Sequence, residues 1–381
     1  MNQDKNVLVI GTGLIGTSIA LGLTAQGLKV FLSDIDTAAL NDAIKVSGAT
    51  KYSDQNIAVV FVATPPANVA KVIAAAIVEH PNAVITDVAS VKGSIFRELE
   101  QLVSSGWDRI VGGHPMAGRE VSGAIGAQGN LFLDRPWVIA SSASTSAESI
   151  AVVEELVKSL GAFPVVRSIE EHDRAVALIS HTPQVVASVL AGELMDAEGS
   201  YIELAGQGIR DTIRIAGSDS DLWTEILSDN SEYIAEQVTQ VANHLLEFAS
   251  ALEDGNRNSV TAKLVKGNQG KDRLPGKHGS SQQSTAILAV RLDDKPGELA
   301  RLFTVAAQAN VNLEDVRIDH SLGHPTGLVE LTLANSWWQI CRATVHVNRN
   351  ITFVIGNATK FDLFANYCSH ICNCLFGSLT T

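Results

Sequence analysis

The residues that point to chemistry begin with a set of glycines. Gly11-Thr12-Gly13-Leu14-Ile15-Gly16 reads G-x-G-x-x-G and follows the apolar run Val7-Leu8-Val9-Ile10. Gly11 permits a tight turn, Gly13 lets a pyrophosphate approach the main chain, and Gly16 lets the next helix pack closely on the strand. The N-terminus of that helix offers free N–H groups and a positive dipole end to phosphates. Asp34 ends a second strand over residues 29–33, at the spacing where a carboxylate hydrogen-bonds ribose hydroxyls and repels a 2′-phosphate. The pattern predicts NAD as the cofactor, held by Gly11, Thr12, Gly13, Leu14, Ile15, Gly16 and Asp34.

The elements that must position this turn are legible from the alternation of strand and helix. Residues 58–63 form a short, fully apolar strand of parallel-sheet type. Thr64-Pro65-Pro66 stops it at the carboxyl edge, where ligands bind in a doubly wound sheet. Ala63 and Thr64, with Asp87 at the end of the strand 83–87, are therefore counted among the cofactor contacts. Helices are expected at 38–46, 68–79 and 147–160, and further strands at 110–112, 137–140 and 163–166. The fold class is α/β: a Rossmann-type doubly wound parallel sheet over residues 1–170. Residues 171–253 show helical periodicity with little strand signal and read as a mainly α-helical dimerisation and substrate domain. Residues 254–285 are polar, glycine-rich and locally basic, which reads as a linker. A small α/β module over 286–336 follows, in the order strand, helix, strand, strand.

Bulk properties exclude several functions. The chain has 381 residues, 46% hydrophobic and 18% charged, with a formal net charge of −13. That acidity opposes nucleic acid and anionic membrane as partners. Residues 7–25 are uncharged, but their glycines and strand-to-helix switch oppose a membrane span. The first residues do not read as a signal peptide. All four cysteines (Cys341, Cys368, Cys372 and Cys374) lie beyond residue 337, so the main body has no disulfide and a cytoplasmic setting is expected. The stretch 337–381 is aberrant, holding a single acidic residue, Asp362, of the 41 in the chain. An out-of-frame C-terminus explains that shift. Cys368, His370, Cys372 and Cys374 form one crowded run without the paired-knuckle spacing of zinc sites, so no metal is expected.

Further motifs carry a resemblance. These are Asp87-Val88-Ala89-Ser90-Val91-Lys92, Gly112-Gly113-His114-Pro115-Met116-Ala117-Gly118-Arg119-Glu120, Ser180-His181-Thr182-Pro183-Gln184 and Gly208-Ile209-Arg210-Asp211-Thr212-Ile213-Arg214-Ile215-Ala216. In this order they resemble the prephenate/arogenate dehydrogenase family over residues 6–252. Pro275-Gly276-Lys277-His278-Gly279 is similar to its linker, and residues 286–336 resemble part of an ACT regulatory domain. The resemblance implies hydride transfer from C4 of a cyclohexadienol to NAD⁺ while carbon dioxide leaves C1, with aromatisation as the driving force. It also implies a homodimer through the helical domain and an amino-acid effector at the turn Asp293-Asp294-Lys295-Pro296-Gly297-Glu298-Leu299.

Such a reaction needs a base for the C4 hydroxyl, a carboxylate clamp and a positioned nicotinamide. His114, expected between a strand end and a glycine-rich loop, titrates near neutrality and is the candidate base. Ser90 is expected to hydrogen-bond His114 or the hydroxyl, or to cap the following helix; the two roles can coexist. Arg214 is the candidate clamp, since guanidinium binds carboxylate bidentately. Arg210, four residues earlier, shares its face if the segment is helical, and Asp211 is placed to orient either arginine or a water. His181 and Gln184 are expected to contact substrate, and Glu120 to gate the pocket or meet an arginine. Trp223 reads as core.

Many members of that family carry a second histidine where this chain has Gln184. Glutamine cannot carry charge, and no acid in this segment would pair the ammonium of arogenate, which favours prephenate. The alternatives are an arogenate dehydrogenase and, from another class, a non-catalytic NAD- and amino-acid-sensing regulator. His114, Ser90 and Arg214 together oppose the latter, since a sensor needs no base.

Overall fold

A computed structural model describes residues 6–118, 123–274, 285–308, 310–320 and 326–334. Short apolar strands alternate with helices in the amino-terminal part. The order is β1 (Val7–Ile10), α1 (Leu14–Ala25), β2 (Val30–Ser33), α2 (Thr37–Ser47), β3 (Thr50–Lys51), β4 (Val59–Val62) and α3 (Pro66–Glu79). There follow β5 (Val84–Asp87), α4 (Gly93–Leu102), β6 (Ile110–Pro115), β7 (Pro136–Ser141), α5 (Ala147–Ser159) and β8 (Phe163–Ser168).

These strands form one sheet in the order β3-β2-β1-β4-β5-β6-β7-β8. Strand direction reverses once, because β6 and β7 pair antiparallel, with His114 opposite Val138. The sequence reading implied a wholly parallel sheet. Parallel neighbours need a crossover, usually a helix, and the described part of the β6–β7 connection holds only a 3₁₀ turn, Ala124–Gly126. Alternate residues feed two cores: Val7, Val9 and Phe61 pack under α1 and α5, and Leu8, Val60 and Ile85 under α3 and α4. Chain order reverses between β1 and β4, so a crevice opens at their carboxyl ends, the general ligand position in such sheets.

The helical part continues directly from β8. It comprises α6 (Ile169–Val176), a π-helical turn (Ala177–His181), α7 (Thr182–Glu193), α8 (Gly199–Ile202) and α9 (Gln207–Ile213). A 3₁₀ turn (Arg214–Gly217), α10 (Ser220–Asp229), α11 (Ser231–Glu253) and α12 (Arg257–Asp272) complete it. Ser168 starts α6 through a reciprocal capping box: its hydroxyl accepts from the Glu171 amide and Glu171 accepts from the Ser168 amide. α12 occupies half of the segment read as linker. Polar composition separates exposed from buried, not helix from coil; α12 holds no proline and no buried residue.

The chain divides into two compact units, Met1–Val260 and Thr261–Thr381. In the second, β9 (Thr285–Asp293), α13 (Glu298–Gln308), β10 (Leu313–His320) and β11 (Thr326–Ala334) occur in the expected order. They make an antiparallel sheet, β10-β11-β9, whose core includes Leu288, Val290, Leu302, Val329 and Leu331. Residues 275–279, 337–381 and Glu120 lie outside the described residues, as does every cysteine.

Candidate active site

The glycine turn sits in the crevice between β1 and β4. Gly11 has φ +99°, and a side chain there would run into the main chain of Ala63 and Thr64. A side chain at Gly16 would strike the carbonyl of Gly11, so helix and turn are in close contact. Gly13, by contrast, is exposed with nothing within 4 Å of the place a Cβ would take. Gly11 and Gly16 thus meet a tight turn and a close helix contact, and the main chain at Gly13 is left open. Thr12 ties the turn to β2: its amide and hydroxyl both donate to Asp34 Oδ2 at 2.7 Å. Oδ1 of the same carboxylate accepts from the Asp36 amide at 2.9 Å.

Thr64 Oγ1, next to the turn, is buried without a protein partner. The open cradle over Gly13, the free amides of α1 and this hydroxyl fit a dinucleotide. Leu14 and Ile15 are half-buried in the first turn of α1.

Asp87 corrects an expectation. Its side chain is buried and points inward, where Oδ2 accepts from the Ala89 amide and pairs with the Lys92 ammonium, and Oδ1 accepts from the Gly113 amide at 3.2 Å. That carboxylate braces β6 one residue before the candidate base and does not reach the crevice. Lys92 is itself fully buried; burial pushes its pKa down, opposed by the charge of Asp87.

His114 lies on β6 rather than in the loop after it, because the strand continues to Pro115 by pairing with β7. Its Nδ1 is 2.9 Å from His172 Nε2, and the two rings meet edge-on at 5.1 Å between centroids. His172 Nδ1 is in turn 2.7 Å from Asp173 Oδ1. Asp173 also accepts from the amides of Lys92 (3.0 Å) and Gly93 (2.7 Å) at the start of α4. Burial holds the His114 pKa well below the ordinary imidazole value, reinforced by His172, Lys92 and His181. It is thus a neutral imidazole at physiological pH.

Ser90 is half-buried, and the described partner of His114 Nδ1 is His172. It does not cap α4 either: the residue before that helix is Lys92, with no side-chain cap.

His181 ends the π turn. Pro183 has no N–H and its ring crowds the carbonyl four residues back, so the helix widens locally instead of breaking. The wide turn buries His181 to 1% exposure while Leu178 and Ile179 of the same turn stay more than half exposed. Its Nδ1 is 3.2 Å from Asn230 Nδ2, and its ring lies edge-on to Trp223 at 6.0 Å. Burial pushes its pKa down to about 4, against the pull of Asp173. Trp223 packs against the core under α3 and α4, as expected. Gln184 is buried in α7 and, among the described residues, its side chain meets Ser188 at 3.4 Å.

Arg210 and Arg214 are exposed, the first in α9 and the second opening the 3₁₀ turn that packs on α7. Asp211 accepts from Gln207 at 2.8 Å. Sequence reasoning missed His172, Asp173 and Asn230. The available signal was a His-Asp pair directly after the capping-box pattern Ser168-Ile169-Glu170-Glu171, which places both in the first turns of a helix entering the sheet edge.

A Rossmann-type sheet with this turn and a neutral histidine on its carboxyl edge defines an NAD-dependent dehydrogenase. The family model for the prephenate dehydrogenase nucleotide-binding domain matches residues 19–166, and that for the prephenate dehydrogenase dimerization domain matches residues 168–266. The chain belongs to the prephenate dehydrogenase family. It is 34% identical over 343 residues to the probable prephenate dehydrogenase NovF of Streptomyces niveus, covering 86% of this chain and 94% of that protein. It is 27% identical to the prephenate dehydrogenase of Bacillus subtilis, covering 87% and 93%. The crystal structure of Synechocystis arogenate dehydrogenase superposes with a TM-score of 0.63 at 27% identity, covering 70% of this chain and 99% of that one.

Proposed function

We propose that the chain oxidises and decarboxylates prephenate with NAD⁺, yielding 4-hydroxyphenylpyruvate on the route to tyrosine. The observation that carries this reading is His114: a neutral imidazole on the sheet edge that bears the glycine turn, with one ring nitrogen already engaged by His172. His114 takes the proton of the C4 hydroxyl, and the dinucleotide held at Gly11–Gly16 and Asp34 supplies the hydride acceptor. Loss of carbon dioxide from C1 completes an aromatic ring, which drives the step. His181 and Gln184, both buried beside the π turn, face the substrate's polar groups, and Ser90 assists at the hydroxyl. Arg214 clamps a substrate carboxylate, with Arg210, Asp211 and Glu120 around it.

Gln184 is uncharged and no acid stands in residues 180–184 to meet an ammonium, which supports prephenate over arogenate. NADH formation at 340 nm with each substrate tests this. Turnover of prephenate and not arogenate is expected; the reverse makes the chain an arogenate dehydrogenase, and no NADH with either sinks both enzyme readings. Arg214→Ala is expected to raise the KM for prephenate about tenfold or more, as loss of a charged hydrogen bond does, with little change in kcat. An unchanged KM removes the clamp.

Two associations complete the proposal. The helix Ile169–Glu193 is long and apolar enough to cross a membrane by length and composition alone. Its exposed Leu178, Ile179, Val189 and Leu190, within the match to the dimerization domain, support a homodimer interface instead. The second unit's sheet and helix support an ACT-like module binding an amino acid at the turn 293–299, where Gly297 has φ +93°. A cytoplasmic setting rests on the absence of cysteine before Cys341.

A further inference from the structure

The hydrogen bonds around Asp173 constrain where protons sit on two imidazoles of the site. The Asp173 carboxylate accepts from two main-chain amides, which hold its pKa down and favour the ionised, acceptor-only form. His172 Nδ1, 2.7 Å away, must carry a hydrogen. With His172 in its neutral form, its one N–H is spent on Asp173 and Nε2 is an acceptor. His114 Nδ1, 2.9 Å from it, is then the donor, and the lone pair of His114 is left on Nε2.

The main-chain carbonyl of the same Asp173 sets the other branch. It accepts from Asn230 Nδ2 at 2.9 Å, which fixes the orientation of that buried amide, since a carbonyl cannot donate. The amide nitrogen has no lone pair to offer, so His181 Nδ1, 3.2 Å from it, is an acceptor. The hydrogen of neutral His181 is therefore on Nε2.

We infer that Asp173 and Asn230 are positioning residues that hold His114 and His181 in opposite tautomers, and that His172 receives the proton His114 passes on. Resting on His114 as the base, the step balances without any redox partner. The substrate O–H breaks and an N–H forms at His114 Nε2. The His114 Nδ1–H breaks and an N–H forms at His172 Nε2, leaving imidazolium against the Asp173 carboxylate. His114 returns to neutral without a positive charge being stranded between Lys92 and His181, the other cationic or titratable groups that face it. His181 meanwhile presents a neutral N–H donor to an acceptor atom of the substrate while His114 keeps its Nε2 lone pair, a combination that two identical tautomers would not provide.

Nitrogen-15 NMR of the full-length protein with labelled histidine, near neutral pH, reads the tautomers directly. His114→Asn and His181→Asn assign the signals by their loss. The expected spectrum shows His114 protonated at Nδ1 and His181 at Nε2; the same tautomer for both overturns the inference. His172→Gln keeps an acceptor but cannot take up a proton. It is expected to lower kcat by about 10–100-fold, the scale of orienting partners, with the KM for NAD⁺ unchanged; an unchanged kcat overturns the relay. Asn230→Asp replaces the donor with an acceptor, and is expected to move the His181 proton to Nδ1 and raise the substrate KM. A tautomer that stays on Nε2 overturns the role of Asn230. Because the tautomers are read without turnover, a His114→Asn variant of normal rate would remove the base and leave the wiring separately testable.

Discussion

His114→Asn is expected to lower kcat by about 10²–10⁴, the range for loss of a general base, while NAD⁺ still binds. Asparagine is close in size and can keep a hydrogen bond to His172, but it has no lone pair able to take the hydroxyl proton. The glycine turn and Asp34 are not touched, so the cofactor's affinity stays the same. The pH profile sharpens the test. Burial favours the neutral form of His114, so the base survives as pH falls through the ordinary imidazole value of about 6.5. The acid limb of kcat/KM in the unaltered protein should lie below that value, and the variant should lose the limb. A kcat close to that of the unaltered protein would take His114 out of the reaction.

Stability should follow the same groups with the same sign. The folded pKa values of His114 and His181 are both depressed, so the unfolded chain binds more protons below about pH 6.5. Their contribution is complete above the unfolded value and is lost as pH falls below it.

The largest effect on folding is expected at Lys92. Its ammonium and the Asp87 carboxylate are both out of water, with side chains 0% and 1% exposed. Lys92→Met retains the apolar stem and removes the charge, leaving Asp87, among the described residues, with the Ala89 and Gly113 amides. An unpaired buried charge costs about 3–5 kcal/mol, against a total stability of roughly 5–15 kcal/mol for a typical domain. Removing both charges, as Asp87→Asn with Lys92→Met, should recover most of the loss, because the attraction in such pairs chiefly offsets their own desolvation. Urea unfolding of the three proteins measures this. A loss below about 1 kcal/mol in the single variant would mean that water screens the pair as at a surface. The double variant also probes the site, since Asp87 holds the amide next to His114.

Much of the site could be read before any coordinates. The glycine turn was legible because its spacing is local, although what bars a side chain at Gly11 is the main chain of Ala63 and Thr64 at the end of β4. His114, His181 and Trp223 stood out by motif or by composition against an apolar background. The errors have one origin. Strand β6 runs past Gly112 because β7 pairs with it, and no local signal in Gly112-Gly113-His114-Pro115 announces that partner. His172 escaped the sequence reading because it is 58 positions from His114. Asp87 looked like a cofactor ligand at a strand end until Lys92 turned back to meet it. Residues 257–272, read as linker, are helical because polarity alone does not oppose a helix.

Local chemistry in the chain thus determined the cofactor and most of the sheet, since propensity, periodicity and motif spacing act over a few residues, while the reaction came from the family resemblance its motifs carry. Tertiary structure decided which nitrogen of each histidine carries its proton. That depends on Asp173 meeting the start of α4 across 81 positions and on Asn230 reaching back 57 positions to its carbonyl. A tautomer is set by the partner of the other ring nitrogen, and only the folded chain brings those partners together.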